Sequence, residues 1–171
     1  MKGFLTMLFF SSAMVSCSQS PKKEMSMQKD LQATILPDQS WTKKIVKTDA
    51  EWKRMLTPEQ FYITRKAGTE RPYSSSLNGN KETGIYYCVS CKNPLFSSST
   101  KFESGTGWPS YYQPYSNKSV KEITDRSLGS VRTEIVCQRC DAHLGHVFDD
   151  GPKPTGLRYC MNGIALQFQK S

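Results

Sequence analysis

No run of this sequence approaches the roughly 18 to 20 consecutive apolar residues that a membrane-crossing helix needs, so such a helix is excluded. There is no internal repeat, and no heptad or Gly-X-Y period that would support a coiled coil or a collagen-like rod. Histidine is scarce, with two in 171 residues, so any chemistry that needs imidazole must use that pair. What is present is ordinary for a globular chain: 37% hydrophobic and 22% charged residues, too apolar for disorder throughout. The length suits one domain whose core needs no extra staples. The net charge of +8 is spread out: residues 18–66 hold ten basic and six acidic groups, residues 67–171 twelve and nine. A nucleic-acid binder concentrates its excess in a stripe, and this pattern argues against one.

The N-terminus has the layout of an export signal. Lys2 precedes the apolar run from Phe4 to Val15, small residues follow, and Cys17 comes directly after Ser16. A cysteine there is similar to the lipobox of bacterial lipoproteins, although Met14 stands where leucine is usual. The expectation is a signal over 1–16 with Cys17 as the lipidation site, or simple secretion. Either places the protein in the cell envelope, in the periplasm or anchored to a membrane only through lipid. Residues 17–40 are rich in Ser, Gln, Lys and Met and read as a tether.

A single domain is expected over 41–169. Thr48 with Glu51, and Thr57-Pro58-Glu59-Gln60, have the spacing of capping boxes, so two short helices should run to about Leu56 and to Gly68, a natural left-handed cap. Beyond Gly68 the helical period disappears. Ile85–Val89, the alternating Val131–Val136, and 157–169 read as strands among Gly-, Pro- and Ser-rich loops, which makes the domain mainly β.

Four of the six cysteines fall in two identical spacings, Cys88-Val-Ser-Cys91 and Cys137-Gln-Arg-Cys140. Brought together, two such turns offer four thiolates in a tetrahedron, the ligand set of a closed structural Zn²⁺ site. Disulfides in an exported chain, or one thioredoxin-like redox pair, are the competing readings. Each pair follows an apparent strand rather than opening a helix, which favours metal knuckles.

Cys160 is left over. In an extended Arg158-Tyr159-Cys160-Met161-Asn162 the period of two puts Arg158, Cys160 and Asn162 on one face. A guanidinium beside a thiol is expected to lower its pKa and favour the nucleophilic thiolate. Both histidines lie in His143-Leu144-Gly145-His146, suited to delivering a proton to a leaving oxygen. A hydrogen-bonded surface turn, or a histidine ligand to the metal, fits the same residues, and a buried inert thiol fits Cys160. Trp108, in a glycine loop, offers a face for a methyl group beside a polarised sulfur, or else caps the core.

Together these segments resemble the B-type peptide-methionine (R)-S-oxide reductase family. The resemblance rests on Trp52 through Pro72 (with LTPEQFYITRKAGTERP), on Cys88–Cys91, and on SGTGWPSYY at 104–112. It continues through Cys137–Cys140, HLGHVFDDGPKPTGLRYCMNG at 143–163 and the final strand, about 120 of 171 residues in the family's order. It implies two antiparallel sheets leaning together (a β-tent) with short N-terminal helices, and a structural Zn²⁺ on Cys88, Cys91, Cys137 and Cys140. It implies reduction of R-methionine sulfoxide in oxidised proteins, with Cys160 as nucleophile and Arg158 beside it. His143 and His146 would supply protons, Asn162 would line the site, and Trp108 would receive the methyl group. Thr106 stands where many relatives carry a resolving cysteine. A thioredoxin-like dithiol or a small thiol is therefore expected to reduce Cys160 directly, in a chain that is a monomer by default. The rival class is a non-enzymatic zinc-knuckle interaction module; a reductase of free methionine sulfoxide or another sulfur oxide is a third reading.

Overall fold

The computed structural model describes residues 43–127 and 129–171. The signal, the tether, Cys17 and the first two residues of the expected domain lie outside the described residues. Helix α1 (Asp49–Met55) starts at Thr48, whose hydroxyl accepts from the Glu51 amide while the Glu51 carboxylate accepts from the Thr48 amide. Helix α2 (Pro58–Lys66) starts the same way, with Thr57, Gln60 and a proline in its first turn. Both starts are where the sequence puts them. The end of α2 differs: Ala67, at φ 51°, takes the left-handed cap. Gly68 is small for another reason, since a Cβ there would lie 2.4 Å from the Tyr62 ring.

Among the described residues nine strands follow: β1 (Gly84–Cys88), β2 (Pro94–Ser97), β3 (Lys101–Phe102), β4 (Ser110–Tyr111), β5 (Val120–Asp125), β6 (Arg132–Cys137), β7 (His143–Phe148), β8 (Arg158–Met161) and β9 (Leu166–Lys170). They form two antiparallel sheets, one in the order β2-β1-β9, the other β3-β4-β8-β7-β6-β5. The mainly β expectation therefore holds.

Two strand readings change. The stretch 157–169 is not one strand. Strand β8 belongs to the larger sheet and β9 to the smaller, and the chain crosses between them at Asn162 and the 3₁₀ turn Gly163–Ala165. The amides of Gly163 and Ile164 donate to the Glu70 carboxylate, which takes the place of a strand partner. In β6 the clean alternation fails, since Ile135, Val136 and Cys137 are all buried. The register shift opposite Ile135 and Val136 leaves the extra residue, Leu144, in β7, while β6 pairs with β5 without interruption. Three buried residues in succession mean that the C-terminal half of β6 is covered on both faces.

The sheets meet through aromatic rings. Tyr86 and Phe96 of the smaller sheet pack on Tyr111 of the larger, with centroids 5.1 and 4.3 Å apart. Phe96 also leans on Tyr159, and Phe168 on Tyr86. Stacked and edge-on pairs of this kind add to the area they bury.

At one end the two sheets are tied by cysteines. Cys88 ends β1 and Cys137 ends β6, and the turns after them are near copies. The Lys92 amide bonds to the Cys88 carbonyl and the Asp141 amide to that of Cys137, with φ at Lys92 and Asp141 of 61° and 55°. The four Sγ atoms lie within 4.8 Å of one another, with Cys88–Cys140 at 3.7 Å and Cys91–Cys137 at 3.6 Å. These are not bonded disulfides. A tetrahedron with Zn–S bonds of about 2.3 Å has edges of about 3.8 Å, so the four buried thiols fit such an ion. Neither histidine is in the group. A metal held by both sheets should stabilise their union: chelation is expected to lower the thermal midpoint, and Cys91→Ser to lower both the midpoint and the metal content, read by calorimetry and elemental analysis.

Candidate active site

Strand β8 lies between β4 and β7, and register pairs Cys160 with Ser110 on one side and His146 on the other. Along β8, Tyr159 and Met161 are buried in the core while Arg158 and Cys160 are half-buried on the opposite face. The expected side-sharing of Arg158 and Cys160 is thus present. Close packing of β7 on β8 needs Gly145, where a Cβ would lie 2.1 Å from the Cys160 carbonyl oxygen.

Cys160 opens into a cavity of about 140 Å³ that it shares with Trp108, His146 and Asn162. Thr69, Arg132, Gly145 and Phe148 complete its wall. This is well below the roughly 300 to 1,000 Å³ of small-molecule and cofactor sites. It suits a single side chain.

Asn162 reaches the cavity by a different route from the one expected. The strand has ended at Met161, and the Asn162 side chain is fixed instead by donating to the Leu144 carbonyl (3.1 Å) and accepting from the Glu70 amide (3.0 Å). Trp108 is held by its indole N–H, which donates to the Glu70 carbonyl at 3.3 Å. The Thr106 hydroxyl is 3.8 Å from the Cys160 sulfur.

Each histidine is backed by a carboxylate that the sequence reading did not single out. His146 Nε2 is 2.9 Å from Asp125 Oδ2, an oxygen that also accepts from Arg132 at 2.5 Å. His143 Nδ1 is 2.6 Å from Glu134 Oε1. His146 lines the cavity; His143 is buried, edge-on to His146 with ring centroids 5.6 Å apart. Burial lowers the His143 pKa, against the pull of Glu134. The Asp125 carboxyl is held well below the usual carboxylate range by the hydroxyl and amide of Ser127, then by His146 and Arg132. Arg132 and Glu134 alternate along β6, and charge at that spacing in an otherwise apolar strand was the available signal. Glu70 gave none, because its partners are about ninety positions away.

One expectation is overturned. Arg158 does not leave Cys160 with a lowered pKa. Its guanidinium forms two parallel bonds to Asp150, both 2.8 Å, and covers the Phe148 ring at 4.4 Å. With that charge already paired, burial dominates and pushes the Cys160 thiol up, opposed by Thr106, Arg158 and Ser110.

Comparison with known proteins agrees with this architecture. The SelR domain family matches residues 56–170. Curated relatives carry the name peptide methionine sulfoxide reductase MsrB, three of them as follows. The one from Pseudomonas syringae pv. syringae is 58% identical over 123 residues, 72% of this chain and 94% of that protein. The one from Pseudomonas fluorescens Pf-5 is 56% identical over 123 residues, 72% of this chain and 95% of its own length. That from Herminiimonas arsenicoxydans is 55% identical over 127 residues, 74% and 93%. The chain belongs to the SelR, or MsrB, family of peptide methionine sulfoxide reductases. As an MsrB it is an oxidoreductase acting on methionine sulfoxide, and the purely structural zinc-knuckle reading is set aside.

In this MsrB burial pushes the Cys160 thiol up. The rate of Cys160 alkylation by iodoacetamide, followed by mass spectrometry, is expected to climb with pH and level off above the value of about 8.5 for a free cysteine. Thr106→Ala, which removes the first of the groups holding the thiol down, should move that midpoint higher.

Proposed function

We propose that the protein reduces the R epimer of methionine sulfoxide in oxidised proteins, with Cys160 as nucleophile in a one-cysteine cycle. The observation that carries this is a half-buried thiol opening into a cavity of side-chain size, walled by Trp108 and His146. The Trp108 face receives the methyl group and Asn162 borders the sulfoxide. The Cys160 thiolate attacks the sulfoxide sulfur while the His143 and His146 pair supplies a proton to the oxygen, which is otherwise a poor leaving group. The S–O bond of the substrate breaks. The oxygen passes to the Cys160 sulfur as the transient S–S bond made in the attack breaks, so methionine departs reduced by two electrons and Cys160, oxidised by two, holds the oxygen as a sulfenic acid. Arg158, oriented by Asp150, contributes positive charge beside the thiolate.

Resetting the enzyme needs a thiol. The hydroxyl beside Cys160 belongs to Thr106, and the other described cysteines form the four-thiol cluster. An external dithiol of the thioredoxin kind, or two small thiols, therefore reduces the sulfenic acid, releasing water and leaving a disulfide on the reductant. We assign the four-cysteine ion as Zn²⁺ in a structural role, on its four-sulfur donor set.

The protein is further proposed to be an exported lipoprotein. The apolar run ending at Cys17 supports this, as does the tether that would let a monomeric domain reach oxidised envelope proteins. Labelling with a tagged fatty acid should mark the full chain and spare Cys17→Ser; equal labelling of both would end the lipid assignment.

The activity is tested with separated R and S epimers of a protected methionine sulfoxide and dithiothreitol. Turnover of R alone is expected, abolished in Cys160→Ser. After one turnover without reductant, a dimedone adduct should appear on Cys160. An intramolecular disulfide to Cys160 would contradict the one-cysteine cycle.

A further inference from the structure

Glu70 is 5% exposed, and both its backbone groups and both carboxylate oxygens are engaged. Its amide donates to Asn162 Oδ1 (3.0 Å) and its carbonyl accepts from the Trp108 indole (3.3 Å). Its carboxylate accepts from Gly163 (2.6 Å) and Ile164 (2.9 Å). Two cavity-lining side chains therefore take their alignment from the backbone of one residue. That backbone is in turn fixed by its own side chain to the crossover between the two sheets. The indole has a single N–H, so no other hydrogen bond sets the angle of the Trp108 face. Asn162 has the Leu144 carbonyl besides, which holds its other end.

We propose that Glu70 is a positioning residue for the reductase reaction, setting Trp108 and Asn162 around the substrate through a buried clamp on Gly163 and Ile164. The inference rests on the function proposed above. Glu70 does not touch the reacting atoms; its effect passes through the side chains that receive the methyl and sulfoxide groups. The Cys160 thiol is carried by β8 and does not depend on the clamp.

The test uses the metal-loaded full chain and R-methionine sulfoxide in a peptide. Glu70→Gln keeps one acceptor oxygen and sets an NH₂ against the remaining amide. It is expected to lower kcat/KM about tenfold, mainly through KM, since misplacing a binding surface by a fraction of an ångström costs that order. The alkylation rate of Cys160 should stay within about twofold of wild type. In a Trp108→Ala background the same substitution should cost clearly less than in wild type, about threefold, because only Asn162 of the two side chains it acts through is left. Additive losses, a parallel fall in alkylation, a fall in kcat at unchanged KM, or unchanged kcat/KM would each overturn the proposal. If Glu70→Gln lowers the urea midpoint, Trp108→Phe carries the test, since it keeps an aromatic face and removes the N–H that reaches Glu70. A kcat/KM nearer to Trp108→Ala than to wild type is then expected, and one nearer to wild type overturns it. A wild-type chain without turnover refutes the reductase chemistry instead, whatever the variants do.

Discussion

Strand β8 threads between β4 and β7, and the ladders on its two sides set Cys160 opposite Ser110 and His146. Trp108 and Asn162 are then set around that thiol by their hydrogen bonds to Glu70 and Leu144. A slip of one residue would turn Cys160 into the aromatic core and bring Tyr159 or Met161 to the cavity. The register is protected sterically, because only a glycine at 145 lets β7 approach the Cys160 carbonyl so closely. It is also protected by packing, since Tyr159 and Met161 are buried on the far face and would lose that burial in any other pairing.

Charge around the thiol is arranged in closed pairs. Arg158 is taken by Asp150, Arg132 and His146 by Asp125, and His143 by Glu134. The Arg–Asp pairs add little net stability, and the histidines are held by hydrogen bonds to their carboxylates. Their effect here is orientation: each ring or guanidinium is fixed before the substrate arrives. The thiol is pushed up because the loss of water around a half-buried sulfur outweighs Thr106, Arg158 and Ser110, each of which favours the thiolate.

The two sheets are joined in two different ways. At one end four thiols converge from the ends of β1 and β6, and their 3.6 and 3.7 Å separations suit a tetrahedral ion. Elsewhere the joint is a stack of Tyr, Phe and Tyr rings and a chain crossover latched by the Glu70 carboxylate. Burial raises the pKa of that carboxyl even as the two amides draw it down, so the latch is electrostatically costly. A group kept at such a cost directly behind Trp108 and Asn162 of the cavity points to function as well as to folding.

Much of this was legible in the amino-acid order because it depends on local chemistry. The capping boxes at Thr48 and Thr57 satisfy amides three residues away, and the two Cys-x-x-Cys turns close on their own carbonyls. Cys160, Trp108 and His146, singled out from motif spacing and family resemblance, border one cavity, with His143 buried beside His146. What the linear order left undecided is what non-neighbours impose. Ala67, not Gly68, takes the left-handed cap, because Gly68 is needed small beneath the Tyr62 ring. The last strand breaks at Asn162 because the amides that follow it find Glu70, and Asp150 folds back onto Arg158 beside a thiol whose burial outweighs the guanidinium. Hydrogen bonds and ion pairs between residues far apart in sequence leave no periodic trace, so tertiary structure alone decided how the cavity is charged and aligned.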